Sequence, residues 1–408
     1  MTLRPLRILQ GALLVLPNAV LPIVGQVPHM MWAVLAAFSI LVYRPSISKG
    51  DWPYFLFAFG VIVNATLGVT FTNTFPDSLL INNGFVGGLL LVAAYLTART
   101  LNDTVWKVVL FFIAVEAFTI YIQFSLGLRF FFPEQQMVTG GEFTFVQKVG
   151  DESLWYLIRP QGLSISSTIA GAKMLMGILI AYMVPFSKRT RWIVIVFLLG
   201  ALLLNFKRSG ILSVGIFFGV AFFMDIADNG WRKRHTFAVL TSASIGLLAL
   251  GTIVAQMTRD TAGTLSNLSF DIIVNQLSGR AGIWQETWQF IGNNPFFGNF
   301  SERYTISTGG YPHNALLTLL ATHGLVLGLL LLGFYVKRMT HKPLLLIFLV
   351  PLFLDSLFQE HIFWYMSMFD IFVLYLLTTR DSSPYWLKPW PNQDLANAPQ
   401  TQPPTVRV

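Results

Sequence analysis

Residues 192–227 read WIVIVFLLGALLLNFKRSGILSVGIFFGVAFFMDIA. Two apolar runs, Trp192–Phe206 and Ile211–Ala227, are separated only by the turn Lys207-Arg208-Ser209-Gly210. A helix crosses ~30 Å of hydrocarbon with ~20 mostly apolar residues, so the stretch reads as two membrane helices joined at one surface. The same ruler, moved outward, finds segments upstream near Ile8–Val24, Pro28–Tyr43, Tyr54–Phe71, Leu79–Leu96, Trp106–Leu128 and Ile165–Phe186. Downstream it finds Thr236–Gln256, Asn314–Val336, Pro343–Phe358 and Ile362–Leu377, the last two readable as a kinked pair. The expected fold is an all-α polytopic membrane protein with about twelve transmembrane helices. Residues 1–380 form its multi-spanning domain, and the Pro-, Gln- and Asn-rich stretch 381–408 reads as a disordered cytoplasmic tail.

Composition agrees. Of 408 residues, 54% are apolar and 11% charged, with a mean hydropathy of +0.62, whereas soluble domains carry roughly 25% charged residues. A cytosolic enzyme, a secreted domain and a disordered chain are excluded. The absence of cysteine excludes a disulfide scaffold, an iron–sulfur protein and a thiolate metal site. The first segment follows Arg4 and Arg7 but has no small-x-small cleavage site before Pro17 and Pro22, so it reads as an uncleaved anchor.

A net charge of +8 and a pI near 9.7 point to nucleic acid only if position is ignored. With twelve spans, eighteen of the 27 basic residues fall on the side of the two termini, which the positive-inside rule makes cytoplasmic. Eight fall outside: Arg129, Lys148, Arg159, Lys207, Arg208, Arg259, Arg280 and Arg303; Lys173 lies within a span. The long loops, about 129–164 and 257–313, both land outside, and loops of that length are usually functional or disordered. Within the second, Arg280–Ile291 reads as a short helix with Arg280, Trp284, Trp288 and Ile291 on one face. Gly292-Asn293 and Pro295 stop it, and its tryptophans suit a membrane interface.

The outer cations that violate the charge bias carry the chemistry. Lys207 and Arg208 sit in the tight turn, Arg159 opens Arg159-Pro160-Gln161-Gly162, Arg280 follows Ser278-Gly279, and His313 stands in Pro312-His313-Asn314. Guanidinium forks match phosphate oxygens, and an ammonium adds a point charge. A lipid diphosphate offers two phosphates at headgroup depth, and a sugar attached to it is already activated when cations stabilise the leaving group. The acceptor hydroxyl must still lose a proton, for which an imidazole is suited near neutral pH. No Asp-x-Asp and no His/carboxylate cluster of metal-ligand type occurs, so no metal and no cofactor is expected, and Arg and Lys take the place of a divalent cation.

These motifs resemble the O-antigen ligase and polymerase superfamily. The resemblance rests on Arg159-x-x-Gly162, Lys207-Arg208-Ser209-Gly210, Ser278-Gly279-Arg280-x-x-x-Trp284, Asn294-Pro295-x-x-Gly298, and His313-Asn314 followed by Gly324 and Gly328. It implies a multi-pass glycosyltransferase of the GT-C type in the bacterial inner membrane, metal-independent, with its active site facing the periplasm. The implied donor is an undecaprenyl-diphosphate-linked glycan, and the acceptor is lipid A-core for a ligase or another lipid-linked glycan for a polymerase. It further implies Arg208, Arg280 and His313 as the essential residues. Lys207 departs from the small polar residue expected before the turn arginine. The ligase reading is preferred, with a repeat-unit polymerase as the alternative.

Quieter readings stand beside these. Lys207 and Arg208 can snorkel from a helix end, Arg280 can anchor in headgroups, and a lone loop histidine is often merely solvated. His341, His361 and Glu360 are given no catalytic role. Glu116 and Lys173 are the costly charges within spans, with Asp225, Asp355 and Asp370 nearer the ends. A Glu116–Lys173 pair between neighbouring helices is favoured over a water path, which would instead describe a transporter of polysaccharide or lipid-linked sugar. Transporters place polar residues and broken helices at the midplane, whereas these cations gather at one rim.

Overall fold

The computed structural model describes residues 4–24, 27–72, 84–126, 160–164, 166–229, 280–307, 309–341, 345–363 and 365–378. Among the described residues there are twelve α-helices and no strand. They are α1 (Arg4–Val24), α2 (Val27–Tyr43), α3 (Trp52–Thr72), α4 (Gly84–Ala98), α5 (Asp103–Leu126) and α6 (Ser167–Met183). The second half supplies α7 (Lys188–Asn205), α8 (Arg208–Asn229), α9 (Arg280–Asn293), α10 (Ala315–His341), α11 (Leu346–Ser356) and α12 (Met368–Thr378). Eleven match expected spans, and α9 is the short loop helix. The expected span Thr236–Gln256, most of the loop 129–164 and the tail 381–408 lie outside the described residues.

Among the described residues, three helices are long and apolar enough to cross a membrane by length and composition: Lys49–Phe71, Asp103–Leu126 and Ala315–Thr340. The largest shortfall is at Ile362–Leu377, where helix begins only at Met368. Phe363 and Tyr365 hold left-handed backbone (φ 67° and 60°) that no helix contains. The Ser367 hydroxyl then accepts the Asp370 amide at 3.0 Å and starts α12 as an N-cap. Residues 357–363 and 365–367 are therefore a connector, held at one end of the bundle.

Helices apolar all round belong inside. Nearly every side chain of α6 is buried, and it packs against α5, α7, α8 and α11. Every residue of α12 is buried, against α4 and α10. Around these, α1 packs on α2 and α5, and α3 on α4 and α10.

α10 is broken at Gly324, whose φ of 80° and ψ of 170° are open only to glycine. A break exposes carbonyls that a membrane interior cannot hydrate, so neighbouring backbone must satisfy them. The run of turns after α9 does this. Asn299 N donates to Ala321 O at 2.8 Å, Ser301 N to Thr322 O at 2.8 Å, and Leu325 N to Pro295 O at 2.7 Å. A Cβ on Gly324 would run into the Phe296 carbonyl, and one on Gly298 into the Ala321 carbonyl. The Asn294-Pro295-x-x-Gly298 and Gly324 motifs are thus two sides of one backbone contact, which seats the end of the second long loop on α10.

The polar contacts divide between two ends. Arg338 pairs with Asp51, and Arg99 donates to the carbonyls of Thr378 at 3.0 Å and Ser46 at 2.9 Å. All of these residues fall on the face that the charge bias assigns to the termini. The other end holds the turn at Lys207, the connector before α12 and the loop leading into α10.

Candidate functional site

The turn between α7 and α8 is made by Phe206, whose left-handed backbone (φ 60°) ends α7 and sends its amide back to Leu202 and Leu203. This exposes two polar side chains to the bundle. Asn205 donates to Pro160 O at 2.6 Å and Ser167 O at 2.9 Å, holding the segment just after Arg159. Lys207 is buried and its Nζ lies 2.6 Å from Asp355 Oδ2 and 2.9 Å from His361 Nε2. Gly171 makes room for it: a Cβ there would meet Lys207 Cβ at 2.6 Å. Burial pulls the Lys207 ammonium below its usual range, and Asp355 opposes that shift. Burial, then the Lys207 charge, pushes His361 down to about 3, with Asp355 opposing. His361 is therefore neutral at pH 7 and accepts from the ammonium. Lys207 is not the open point charge expected from sequence but the middle of a buried Asp–Lys–His cluster.

Glu360, the residue before His361, reaches the other way. Its Oε2 takes the Arg303 guanidinium at 2.6 Å, and its Oε1 takes the His313 amide at 2.9 Å and the Thr318 hydroxyl at 2.8 Å. Burial lowers Arg303, with Glu360 as the first opposing influence, and its guanidinium stacks 3.1 Å from the Tyr311 ring centroid. His313 itself is exposed, in left-handed backbone (φ 52°). Consecutive Cα atoms are ~3.8 Å apart, so contacts made by adjacent residues bring Lys207 Nζ and the His313 amide within roughly 20 Å of one another.

α9 joins the same end. Trp284 Nε1 donates to Pro312 O at 2.9 Å, beside His313. Arg280 begins α9 one helical turn earlier, about 6 Å along the axis from Trp284. The face of α9 differs from expectation: Ile283, Trp284, Thr287 and Ile291 turn inward, whereas Trp288 is 55% exposed. Trp284 is a partner of the loop rather than an interface anchor. Arg159 lies outside the described residues, but its neighbour Pro160 is the one held by Asn205. Lys207 and the His313 turn are thus joined through His361 and Glu360, Arg208 follows Lys207 in the chain, and Arg280 starts the helix whose Trp284 meets Pro312.

Deeper in the bundle, Lys173 and Glu116 pair at 2.9 Å with both side chains almost wholly buried. Ser164 donates to the second Glu116 oxygen, and Gln123 clamps Gly162 through both backbone groups, at 2.8 and 2.9 Å. Gly162 (φ 62°) lies so close that a Cβ would meet Glu116 Cγ at 2.7 Å. The pair is the interhelical link favoured from sequence. Among the described residues no group of three or more His, Cys, Asp or Glu side chains gathers as metal ligands.

Residues 193–333 match the protein family described as O-Antigen ligase. Over that segment the match supports the resemblance to the ligase and polymerase superfamily read from the motifs. No curated protein matches the chain. The matched segment contains the Lys207–Gly210 turn, Arg280, His313 and Gly324. Asp355, Glu360 and His361 lie beyond it; sequence reasoning singled out Asp355 only as a costly charge near a span end and gave Glu360 and His361 no catalytic role. A signal existed: three ionisable residues within seven positions of an apolar stretch are costly unless paired.

Proposed function

We propose that the protein is an O-antigen ligase: a GT-C-type enzyme of the inner membrane with about twelve spans, cytoplasmic termini and a periplasmic site. It moves a glycan from undecaprenyl diphosphate onto lipid A-core. Arg208 and Arg280 grip the diphosphate, with Arg159 as a third guanidinium. Lys207, committed to Asp355 and His361, contributes its field and holds the turn that carries Arg208. His313 takes the proton of the acceptor hydroxyl. As the new bond to the anomeric carbon forms, the bond from that carbon to the diphosphate oxygen breaks. The pyrophosphoryl lipid leaves with the electron pair, its charge met by the guanidiniums. The observation that carries this reading is the convergence of the turn at 205–208, the start of α9 and the His313 turn on one end of the bundle.

His313→Ala is expected to abolish transfer while donor binding is retained, and Arg208→Ala and Arg280→Ala to weaken both. Arg280→Lys should restore little if the contact is bidentate. A rate unchanged by a divalent-metal chelator is expected; its loss would mean a missed metal site. Deletion of the gene separates ligase from polymerase: core without polymer marks a ligase, core bearing one repeat a polymerase. Sugar movement across liposome membranes with no new glycosidic bond would replace both with a transporter.

A further inference from the structure

We infer that Glu360 is a positioning residue for the His313 base, fixing the turn that bears the imidazole; the inference rests on the role proposed for His313. Left-handed backbone is unfavourable for any residue with a Cβ and is uncommon outside glycine, with asparagine, aspartate and histidine its most frequent other occupants. His313 adopts it (φ 52°) with an exposed side chain. An outlier of this kind persists when its surroundings hold it, and such outliers cluster at functional positions.

The start of α10 does not need Glu360. Asn314 Oδ1 already accepts the amides of Leu316 at 3.0 Å and Leu317 at 3.1 Å, an N-cap complete in itself. What Glu360 adds is a hold on residue 313 itself, through the bond from His313 N to Oε1 at 2.9 Å. The same oxygen takes the Thr318 hydroxyl at 2.8 Å, so the turn is tied to the first turn of α10. The other oxygen takes Arg303 at 2.6 Å, and Arg303 covers the ring of Tyr311, two residues before the histidine. A carboxylate is needed, because every neighbour is a donor and a carboxylate only accepts. Its side chain is 6% exposed, so these bonds are made with little competition from water.

The test uses the purified full-length protein in detergent, with transfer rate measured against the concentration of an undecaprenyl-diphosphate-linked glycan. Glu360→Gln keeps an oxygen for the His313 amide but sets an NH2 group against the Arg303 guanidinium. It should lower kcat by about 10- to 100-fold, the cost of a misplacement near 1 Å, with the donor KM within about twofold of the parent. Glu360→Ala should fall further, and adding it to His313→Ala should cause no additional loss, because residues acting as a unit are not additive. Parental kcat in Glu360→Gln, or a loss appearing wholly in KM, overturns the inference. If the alanine variant does not fold, the isosteric glutamine variant decides alone. Inactive His313→Ala beside fully active Glu360→Gln removes only the role of Glu360. His313→Ala at the parental rate removes the base itself.

Discussion

Glu116 with Lys173 and Asp355 with Lys207 are both buried ion pairs between elements far apart in sequence, at 2.9 and 2.6 Å. They differ in what stands behind them. The Glu116 carboxylate has one oxygen on Lys173 and the other on the Ser164 hydroxyl, a neutral group that cannot replace a lost charge. Behind Lys207 stands His361, with Nε2 at 3.7 Å from Asp355 Oδ2. The first pair is a fixed link between α5 and α6. The second contains a residue able to change its charge, and it lies one position from the carboxylate that holds His313. Desolvating two charges costs several kcal/mol per ion in either place, repaid only while both partners remain.

The largest effect is therefore expected at the fixed link. Lys173→Ala leaves Glu116 charged, buried and without a counterion, and should cost about 3–5 kcal/mol. Thermal unfolding in detergent reads this directly. The paired change Glu116→Leu with Lys173→Met should recover most of the loss, since an apolar pair of similar volume has no desolvation to repay. If the double variant is as unstable as the single one, the pair is more than a structural link, and the water-path reading set second from sequence gains ground.

Lys207→Met should cost less, roughly 2 kcal/mol at neutral pH, because His361 Nε2, 3.7 Å from Asp355 Oδ2, is left facing the carboxylate in place of the lost ammonium. The same variant should also slow transfer, since the turn carrying Arg208 loses its hold on the connector before α12. Equal losses for Lys173→Ala and Lys207→Met would erase the distinction between the two pairs.

These pairs also mark what the sequence made legible. Apolar run length exposed eleven of the helices now described, because a membrane leaves a helix no other way to satisfy its backbone. Glu116 and Lys173 were visible as a pair because each stands alone in an otherwise apolar span. The cations at 207, 208 and 280 stood out because they violate the charge bias, and His313 because it closes a long outer loop. The brace at 355–361 was hidden for the opposite reason. Asp355 neutralises, and His361 accepts from, a cation 148 and 154 positions away, and no local spacing announces a partner at that distance. The inward turn of Trp284 was likewise invisible, because a helical wheel gives a face but not the identity of what covers it.

The smallest effect separates the two regions most cleanly. His361 is held down to about 3 by burial and by the Lys207 charge, while an unfolded chain carries a histidine near ~6.5. Between these values the unfolded state binds the proton and the folded state does not, so stability is full above pH 6.5 and declines as pH falls. The slope is about 1.4 kcal/mol per pH unit at most, seen as a falling melting temperature from pH 6.5 to 5.5. In Lys207→Met the slope should shrink. Burial still opposes protonation, but with the ammonium gone and Asp355 still facing it the imidazole takes its proton at a higher pH than in the parent. A shallower slope in the variant requires His361 to be the third member of the Lys207 cluster. Parallel slopes would show that it only lies alongside, leaving both buried pairs equally fixed.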